Sequence, residues 1–300
     1  MISSLYKKRI QALQTEYARL IHEHPRENYE ITLAEIPEMV YHSNAIENSS
    51  LTLEDTEDII EEGRIRHGAK VREIYEAKNL ADVIHIVIEN PRQKLSLPYI
   101  LSLHRLLMSG IDDRAAGRFR MGGEQPIFGQ GIGANPDFTS SLVSQLIDQY
   151  KNDRRRYFLE KIAYFHAEFE DIHPFVDGNG HIGRVLINQQ LQALGYPPII
   201  IQSKNKDVDY HELFDNYHRD ESLEEFVQLF MYAIIESLHK RITLLSNSKT
   251  ITVREWAEQN KVAQNAALNK ARRQTIPAFR QNKVWLIRAD FKDNAGVELY

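Results

Sequence analysis

The chain has 300 residues, of which 42% are hydrophobic and 26% charged, and a formal net charge of −5 at pH 7, an ordinary composition for a globular protein of about two domains. It contains no cysteine, which excludes disulfide bonds, thiol catalysis and thiolate metal sites, and this fits a reducing compartment such as the cytoplasm. No apolar run approaches the roughly 20 residues of a membrane span and the N-terminus shows no secretory signal, so we expect a cytoplasmic protein with no membrane partner.

Apolar residues recur at helical spacing along most of the chain, which predicts an all-α, mainly helical fold class. The predicted helices cover residues 3–23, 37–48, 71–89, 98–109, 139–152, 157–172, 207–217 and 222–245. Thr52, followed three residues later by Asp55, is typical of a capping box, and Gly63 is a helix-ending glycine. Residues 117–136 hold six glycines and two prolines, which excludes a helix and favours a short hairpin or a connecting loop.

Residues 173–184 read His-Pro-Phe-Val-Asp-Gly-Asn-Gly-His-Ile-Gly-Arg and join two predicted helices. Pro174 disfavours helical geometry at His173, so the first helix should end there. The Gly-Asn-Gly of residues 178–180 can bend the backbone so that successive N–H groups point into one concavity. The next helix adds its own N–H groups and its positive dipole end, and together these features predict a phosphate site.

Three side chains around this concavity have a suitable chemistry. The Asp177 carboxylate could hold a hard divalent cation that bridges phosphates. Arg184, one turn into the helix, could bind a terminal phosphate through two donors. His173 could act as a general base toward an incoming hydroxyl.

The segment resembles the motif of the Fic family, His-Pro-Phe-x-Asp/Glu-Gly-Asn-Gly-Arg-x-x-Arg, and departs from it where His181 replaces the usual first Arg. The resemblance implies transfer of AMP from ATP to a Tyr, Ser or Thr hydroxyl of a protein, with Mg²⁺ held by Asp177. It implies catalytic roles for His173, Asn179 and Arg184. The implied nucleotide-binding residues of the motif are Asp177, Gly178, Asn179, Gly180, His181, Ile182, Gly183 and Arg184.

The departure at His181 affects the predicted chemistry. An Arg would be permanently charged, whereas a His with its reference pKa of about 6.5 is only partly charged at neutral pH. Phosphate binding would then be weaker and pH-dependent.

Further positions follow from the same resemblance. Tyr210 matches a family Tyr near the adenine, and Asn216 or its neighbour Tyr217 matches a family Asn. The opening Gly-Arg-Phe-Arg of residues 117–120 is similar to the segment that leads into the Fic flap, an edge hairpin that binds the target peptide by strand addition. Ile127 and Phe128 are the predicted inner positions of this flap.

Ser43-Asn44-Ala45-Ile46-Glu47-Asn48 resembles the inhibitory-helix motif that precedes the core of many Fic proteins. The physical basis would be competition for Arg184. Glu47 could pair with that guanidinium and occupy the place of the terminal phosphate, so that ATP binds unproductively. A solvated polar helix end is the alternative interpretation.

The C-terminal residues differ in charge from the rest. Residues 1–249 carry 28 basic and 37 acidic residues, whereas residues 250–300 carry nine and five. Beyond a polar linker, two predicted helices (from residue 251, and 263–273) and two short strands (276–280 and 283–287) resemble the winged helix-turn-helix of excisionases. DNA contact through Lys270, Arg272 and Arg273, or protein recognition, would suit such a module.

The sequence therefore predicts a Fic-type helical core with a short β-hairpin flap, plus a small winged-helix module. The predicted domains are 1–95 with the inhibitory helix, 96–245 with the catalytic core, and 250–300. The predicted function is that of a protein adenylyltransferase that uses ATP and Mg²⁺, acts on a protein hydroxyl and is autoinhibited by Glu47. Removal of AMP from the same target, or a nucleotide-sensing DNA-binding regulator, are the alternatives, and a homodimer is also considered.

Overall fold

A computed structural model describes residues 2–65, 68–124, 127–128, 131–203 and 210–293, with the backbone alone at 127–128 and 131–132. The chain forms two compact units, each built from separate segments. The larger unit comprises Leu33–Leu194 and Ile200–Val227, and the smaller comprises Met1–Thr32, Gly195–Ile199 and Gln228–Tyr300. The three contiguous domains that the sequence suggests stay a prediction.

The described residues are mainly helical, as predicted. The helices are α1 (Ser4–Glu23), α2 (Pro25–Ala34), α3 (Ile36–Ile46), α4 (Leu53–Glu57), α5 (Val71–Glu89), α6 (Leu97–Leu107), α7 (Thr139–Asn152), α8 (Phe158–Ile172), α9 (Asn179–Ala193), α10 (Tyr210–Asp220), α11 (Glu224–Leu245), α12 (Val253–Gln259) and α13 (Gln264–Arg272). The strands are β1 (Ile127–Phe128), β2 (Gly131–Ile132), β3 (Thr250–Thr252), β4 (Ala278–Gln281) and β5 (Val284–Arg288). In the part of the chain that is described, no helix is both long and apolar enough to cross a membrane.

The core of the larger unit lies among α5, α6, α8 and α9. Phe165 and Phe169 of α8 and Phe175 of the following loop are almost completely buried there. At the edge of this core, the predicted capping box begins α4: Thr52 Oγ1 accepts from the Asp55 N–H, and the Asp55 carboxylate accepts from the Thr52 N–H. The buried aromatic rings fix the position of α8 and of the loop that follows it.

The C-terminal part of the smaller unit is a three-stranded antiparallel sheet, in the order β3-β5-β4, with α12 and α13. Asn282 and Lys283 both have positive φ, 48° and 67°, and connect the paired residues Gln281 and Val284 in a two-residue turn. Trp256 is fully buried in the core of this module. The predicted order of two helices and two strands is therefore present.

Two local predictions differ from the structure. A helix was expected from Ile251, but Thr250–Thr252 pairs with β5 and α12 begins only at Val253, where Thr252 and Glu255 form a capping box. No helix was predicted between residues 23 and 37, whereas α2 begins at Pro25, and a proline needs no N–H at the first helical position. Residues 207–209 of one predicted helix lie outside the described residues.

Candidate active site

His173 ends α8 with a left-handed backbone, φ 48° and ψ 62°. Its Nδ1 lies 3.3 Å from the carbonyl oxygen of Glu170. A carbonyl can only accept, so Nδ1 carries the hydrogen and Nε2 carries the lone pair that a base needs. Burial lowers the pKa of His173 to about 4, and the ring is therefore neutral at pH 7.

The loop after His173 is held by buried side chains. The Phe175 N–H donates to Asn179 Oδ1 over 2.8 Å, and Asn179 Nδ2 donates back to the Phe175 carbonyl over 2.9 Å. The fully buried Phe175 ring stacks on His104, with ring centroids 3.7 Å apart. Asn179 thus braces the loop in this structure, and its catalytic role stays a prediction.

His104, which the sequence analysis did not identify, connects two segments of the site. Its Nδ1 accepts from the Gly117 N–H over 3.1 Å, which leaves Nε2 to donate to the Asp177 carbonyl over 3.0 Å. Burial lowers the pKa of His104 to about 4, so this neutral tautomer is kept at pH 7. The glycine-rich segment and the motif loop are thereby tied through one ring.

The predicted anion site lies at the start of α9. Gly178, with φ 80°, is the N-cap and makes no side-chain cap hydrogen bond. A Cβ at this residue would lie 3.0 Å from Leu107 Cδ2, so a glycine suits both the backbone and the space. Neighbouring Ile182 has its side chain fully buried in the core and could meet a nucleotide only through its backbone.

Arg184 is 7% exposed and is held by the end of α3. Its Nε donates to Ser43 Oγ over 2.9 Å, and its Nη2 donates to the Ser43 carbonyl over 3.0 Å and to Glu47 Oε1 over 2.8 Å. Burial alone would raise the pKa of Glu47, but the charge and the hydrogen bond of Arg184, together with smaller contributions from nearby side chains, outweigh it and hold that pKa below its usual range. The ion pair between Glu47 and Arg184 that the sequence predicted is present.

The Glu47 carboxylate also reaches the first turn of α9. A Cβ placed on Gly180 would lie only 2.2 Å from Glu47 Oε1 and 2.9 Å from Arg184 Nη1. The carboxylate therefore lies beside the first turn of α9, where the sequence predicts the anion site.

His181, the residue that departs from the Fic motif, points toward α3. Its Nε2 lies 2.8 Å from Asn44 Oδ1 and donates to it. Burial and the nearby charge of Arg184 lower the pKa of His181 to about 4, so it is neutral at pH 7. The partial positive charge expected from the sequence is absent, and the ring serves as a neutral donor to the helix that carries Glu47.

Asp177 is the predicted metal ligand, and its side chain is 48% exposed. Its Oδ1 accepts from the Gly178 N–H over 2.7 Å, and its Oδ2 pairs with Arg72 of α5. Arg72 Nε also donates to Glu76 Oε1 over 2.7 Å. No group of three or more His, Asp or Glu that could hold a metal occurs among the described residues. An accessible single carboxylate fits Mg²⁺, which usually binds one or two carboxylates together with phosphates.

The remaining predicted residues are placed as follows. Tyr210 is buried, with its ring centroid 5.7 Å from the Arg184 guanidinium carbon. Asn216 is partly exposed and donates from Nδ2 to Glu225 Oε2 over 2.7 Å. The predicted hairpin is present, because Ile127 and Phe128 pair with Ile132 and Gly131 in antiparallel register. Only the backbone of these residues is described, so the prediction that Ile127 and Phe128 occupy the inner positions stays a prediction.

One buried acid was missed. Glu170, on the inner face of α8, has a pKa raised to about 8 by burial, so it is largely protonated at pH 7. A Cβ on Gly183 would lie 2.3 Å from Glu170 Oε1, so this glycine makes room for the carboxyl group. An acid at a core-facing position three residues before His173 was the only signal in the sequence.

Part of the chain is similar in sequence to a known family and to characterised proteins. Residues 94–191 match the model of the Fic/DOC family. The protein adenylyltransferase Fic of Drosophila persimilis is 29% identical over 220 residues, which are 71% of this chain and 43% of that protein. The protein adenylyltransferase fic-1 of Caenorhabditis elegans is 28% identical over 181 residues, 58% of this chain and 35% of that protein.

Solved structures share the fold. A Fic domain containing signaling protein from Bacteroides thetaiotaomicron superimposes with a TM-score of 0.65 at 22% identity, covering 80% of this chain and 98% of that one. A Fic family protein from Desulfovibrio desulfuricans gives 0.61 at 19% identity, covering 98% of both chains. Residues 94–191 of this chain therefore match a Fic/DOC domain, and the chain is similar to Fic protein adenylyltransferases over part of its length. It spans less than half the length of the curated relatives it matches.

Proposed function

We propose that this protein transfers AMP from ATP to a Tyr, Ser or Thr hydroxyl of a protein. One observation carries the proposal: a neutral His173, with its lone pair on Nε2, adjoins a loop and helix end that also present Asp177 and Arg184. These are the base, the metal ligand and the phosphate ligand of a phosphoryl-transfer site in which positioning and charge stabilisation dominate.

In the proposed reaction, the N–H groups at the start of α9 and Arg184 hold the phosphates of ATP. Asp177 would hold Mg²⁺, which neutralises phosphate charge when it is bound. His173 Nε2 takes the proton of the target hydroxyl as its oxygen bonds to the α-phosphorus. The bond between the α-phosphorus and the oxygen that bridges it to the β-phosphorus breaks, and pyrophosphate leaves. The β1–β2 hairpin would present the target segment by adding a strand.

Glu47 is proposed to hold this site in a restrained state. Its carboxylate pairs with Arg184 and lies at the mouth of the anion site beside Gly180. ATP bound against it would lose the guanidinium that should hold its terminal phosphate. Loss of the carboxylate should therefore increase transfer, which separates this proposal from that of a passive helix end.

The test is incubation of Glu47→Gly protein with Mg²⁺ and ATP labelled at the α-phosphate, read by intact mass. We expect the gain of one AMP, well above wild type, and its loss in the Glu47→Gly, His173→Ala double variant. Equal labelling of wild type and Glu47→Gly would contradict the restraint. Bound ATP without labelling in either protein would contradict the transferase and favour AMP removal or nucleotide sensing.

A second proposed activity concerns residues 250–300. Helix α13 exposes Gln264, Asn265 and Asn269 on one side, which are residue types that hydrogen-bond base edges in the major groove. Arg273 follows at its end, where a phosphate contact would be suitable. Electrophoretic shift of a DNA duplex at two salt concentrations tests this, since contacts through Lys and Arg weaken steeply with salt. Absence of any shift at low salt would favour protein recognition by the module.

A further inference from the structure

Arg120 lies at the junction between the glycine-rich segment and the motif loop. Its side chain is only 2% exposed. The guanidinium donates to the backbone carbonyl oxygens of four residues, Glu124 (3.1 Å), Ala134 (2.6 Å), Ile172 (3.2 Å) and His173 (2.6 Å). Its own N–H donates to a fifth carbonyl, that of Pro174, over 2.9 Å. The Arg120 side chain is therefore hydrogen-bonded to the end of α8, to the start of the motif loop, and to Glu124 and Ala134, which lie on either side of β1 and β2.

Only an arginine can make this set of contacts. Its planar head has five N–H donors in a fixed fork, whereas a lysine has three on a single nitrogen. Burying a charged head is costly, and carbonyl dipoles from several directions offset that cost. Nearby Arg118 differs in this respect, since it forms a bidentate pair with Glu124 near the surface.

The junction is also closely packed from its other side. A Cβ on Gly133 would lie 2.7 Å from His173 Cβ and 2.8 Å from Arg120 Nη2. The next residue, Ala134, donates its N–H to the Ile172 carbonyl over 3.1 Å. The backbone just after β2 therefore touches both Arg120 and the base, and movement of one should displace the others.

We propose that Arg120 is a positioning residue for His173: it fixes the left-handed backbone from which the imidazole projects and links that backbone to the β1–β2 segment. The inference rests on the transferase function proposed above. A target strand added to the hairpin would then be held in a fixed relation to the base. Arg120 makes no described contact with Gly178, Gly180 or Arg184, so it should act on transfer and not on ATP binding.

The charge of Arg120 provides a second, independent observable. Burial is the largest cause of the lowered pKa of His173, and the Arg120 guanidinium lowers it further. Removal of the guanidinium should raise the pKa of His173 toward its ordinary value. A residue that only stabilised the fold would not change this titration.

The experiment compares Arg120→Gln, Gly133→Ala and Arg118→Gln in the Glu47→Gly background. We expect Arg120→Gln to lower the rate of AMP transfer about 10²-fold, the cost of misplacing a reacting group by about 1 Å, with unchanged ATP affinity by calorimetry. Gly133→Ala, which adds one methyl group at the same junction, should lower the rate with the same pattern. Arg118→Gln, which breaks a pair in the same segment without touching His173, should transfer at the rate of its parent.

Histidine-labelled NMR of the same proteins follows His173 directly, with its signal assigned by loss in His173→Ala. A higher pKa of His173 in Arg120→Gln supports the proposal. An unchanged rate and titration in both junction variants would overturn it, as would a rate loss explained by weaker ATP binding. If Arg120→Gln does not fold, Gly133→Ala decides. If Glu47→Gly itself is inactive, the function fails, but the titration still tests the positioning.

Discussion

The proposed base, His173, and the proposed restraint, Glu47, are held in different ways, although they lie at the same end of α9. The loop that carries His173 is fixed by buried groups, namely Arg120, His104, Asn179 and Phe175, which largely bond to backbone atoms. Glu47 is 40% exposed at its side chain and reaches the site through an ion pair with one residue. A contact of that kind can break while the helix and the loop stay folded.

This difference indicates which part of the site is adjustable. Buried hydrogen bonds to the backbone are costly to remove, because each leaves a desolvated group without a partner. In the Glu47–Arg184 pair only the carboxylate is partly exposed, and a phosphate that takes its place would supply the buried guanidinium with another anion. We therefore expect variants of the loop to lose activity and variants of the α3 end to gain it.

The largest effect is expected at the base. His173→Ala in the Glu47→Gly background should lower AMP transfer by about 10²–10⁴-fold, the usual contribution of a general base, with ATP affinity unchanged. The measurement is labelling by ATP carrying the label at its α-phosphate. His218→Ala is the matched control, because His218 is an exposed histidine that pairs with Asp171 on the surface of the same unit. Similar loss in both variants would mean that His173 acts only through stability.

The buried histidines predict that the folded protein loses stability in acid. The pKa values of His104 and His181 are each lowered from 6.5 to about 4. The unfolded chain binds a proton at each of these histidines below pH 6.5, whereas the folded protein does so only near pH 4. The stabilisation that comes from keeping them neutral is therefore complete above pH 6.5 and is lost as the pH falls from 6.5 to 4. Each shift corresponds to roughly 3 kcal/mol. Urea unfolding at pH 7, 5.5 and 4.5 measures it, and His104→Asn should flatten the slope.

A smaller effect is expected where His181 meets α3. Asn44→Ala removes one neutral hydrogen bond, worth about 1 kcal/mol, and should raise labelling of the otherwise wild-type protein about fivefold, less than Glu47→Gly does. His181→Ala should add little to Asn44→Ala in a double-mutant cycle, because both remove the same bond. Additive effects would show that His181 does not act through Asn44.

An effect of similar size is expected at the proposed metal ligand. Arg72 pairs with the Asp177 carboxylate that is proposed to hold Mg²⁺. Arg72→Gln should tighten Mn²⁺ binding to the complex of the protein with ADP by about fivefold. The variant removes one positive charge, whose repulsion of the metal ion is worth about 1 kcal/mol at a partly exposed site. Calorimetry measures it, with Arg156→Gln, which breaks a surface pair with Asp153, as control. Weaker metal binding in Arg72→Gln would mean that Arg72 supports the metal site.

The sequence predicts the parts of the site whose residues are close together along the chain. The residues from His173 to Arg184 follow one another along a loop and a helix start, so spacing alone brings them together. The Glu47–Arg184 pair joins residues far apart in the chain, but opposite charges in known motifs made it predictable. The predicted pairing of Ile127 and Phe128 in a hairpin likewise depended on local glycine content.

The supporting contacts could not be predicted in this way. Arg120 and His104 bond mainly to carbonyl and N–H groups, which every residue possesses, so no complementary residue type marks the partner. Arg72 and Asp177 are complementary, but many such charged pairs exist in a chain with 37 basic and 42 acidic residues. β3 was missed because the residues from Ile251 were assigned to the following helix, which begins only at Val253.

The absence of a side chain at Gly180 affects two features of the candidate site. The missing side chain at this position leaves the space that the Glu47 carboxylate fills, since a Cβ would lie 2.2 Å from Oε1. The same bare backbone would let a phosphate approach the helix end in the proposed reaction. A methyl group at this position would therefore conflict both with the Glu47 carboxylate and with the proposed phosphate. Release of the proposed restraint without crowding the phosphate site would need a change on the α3 side, at Glu47 or its neighbours.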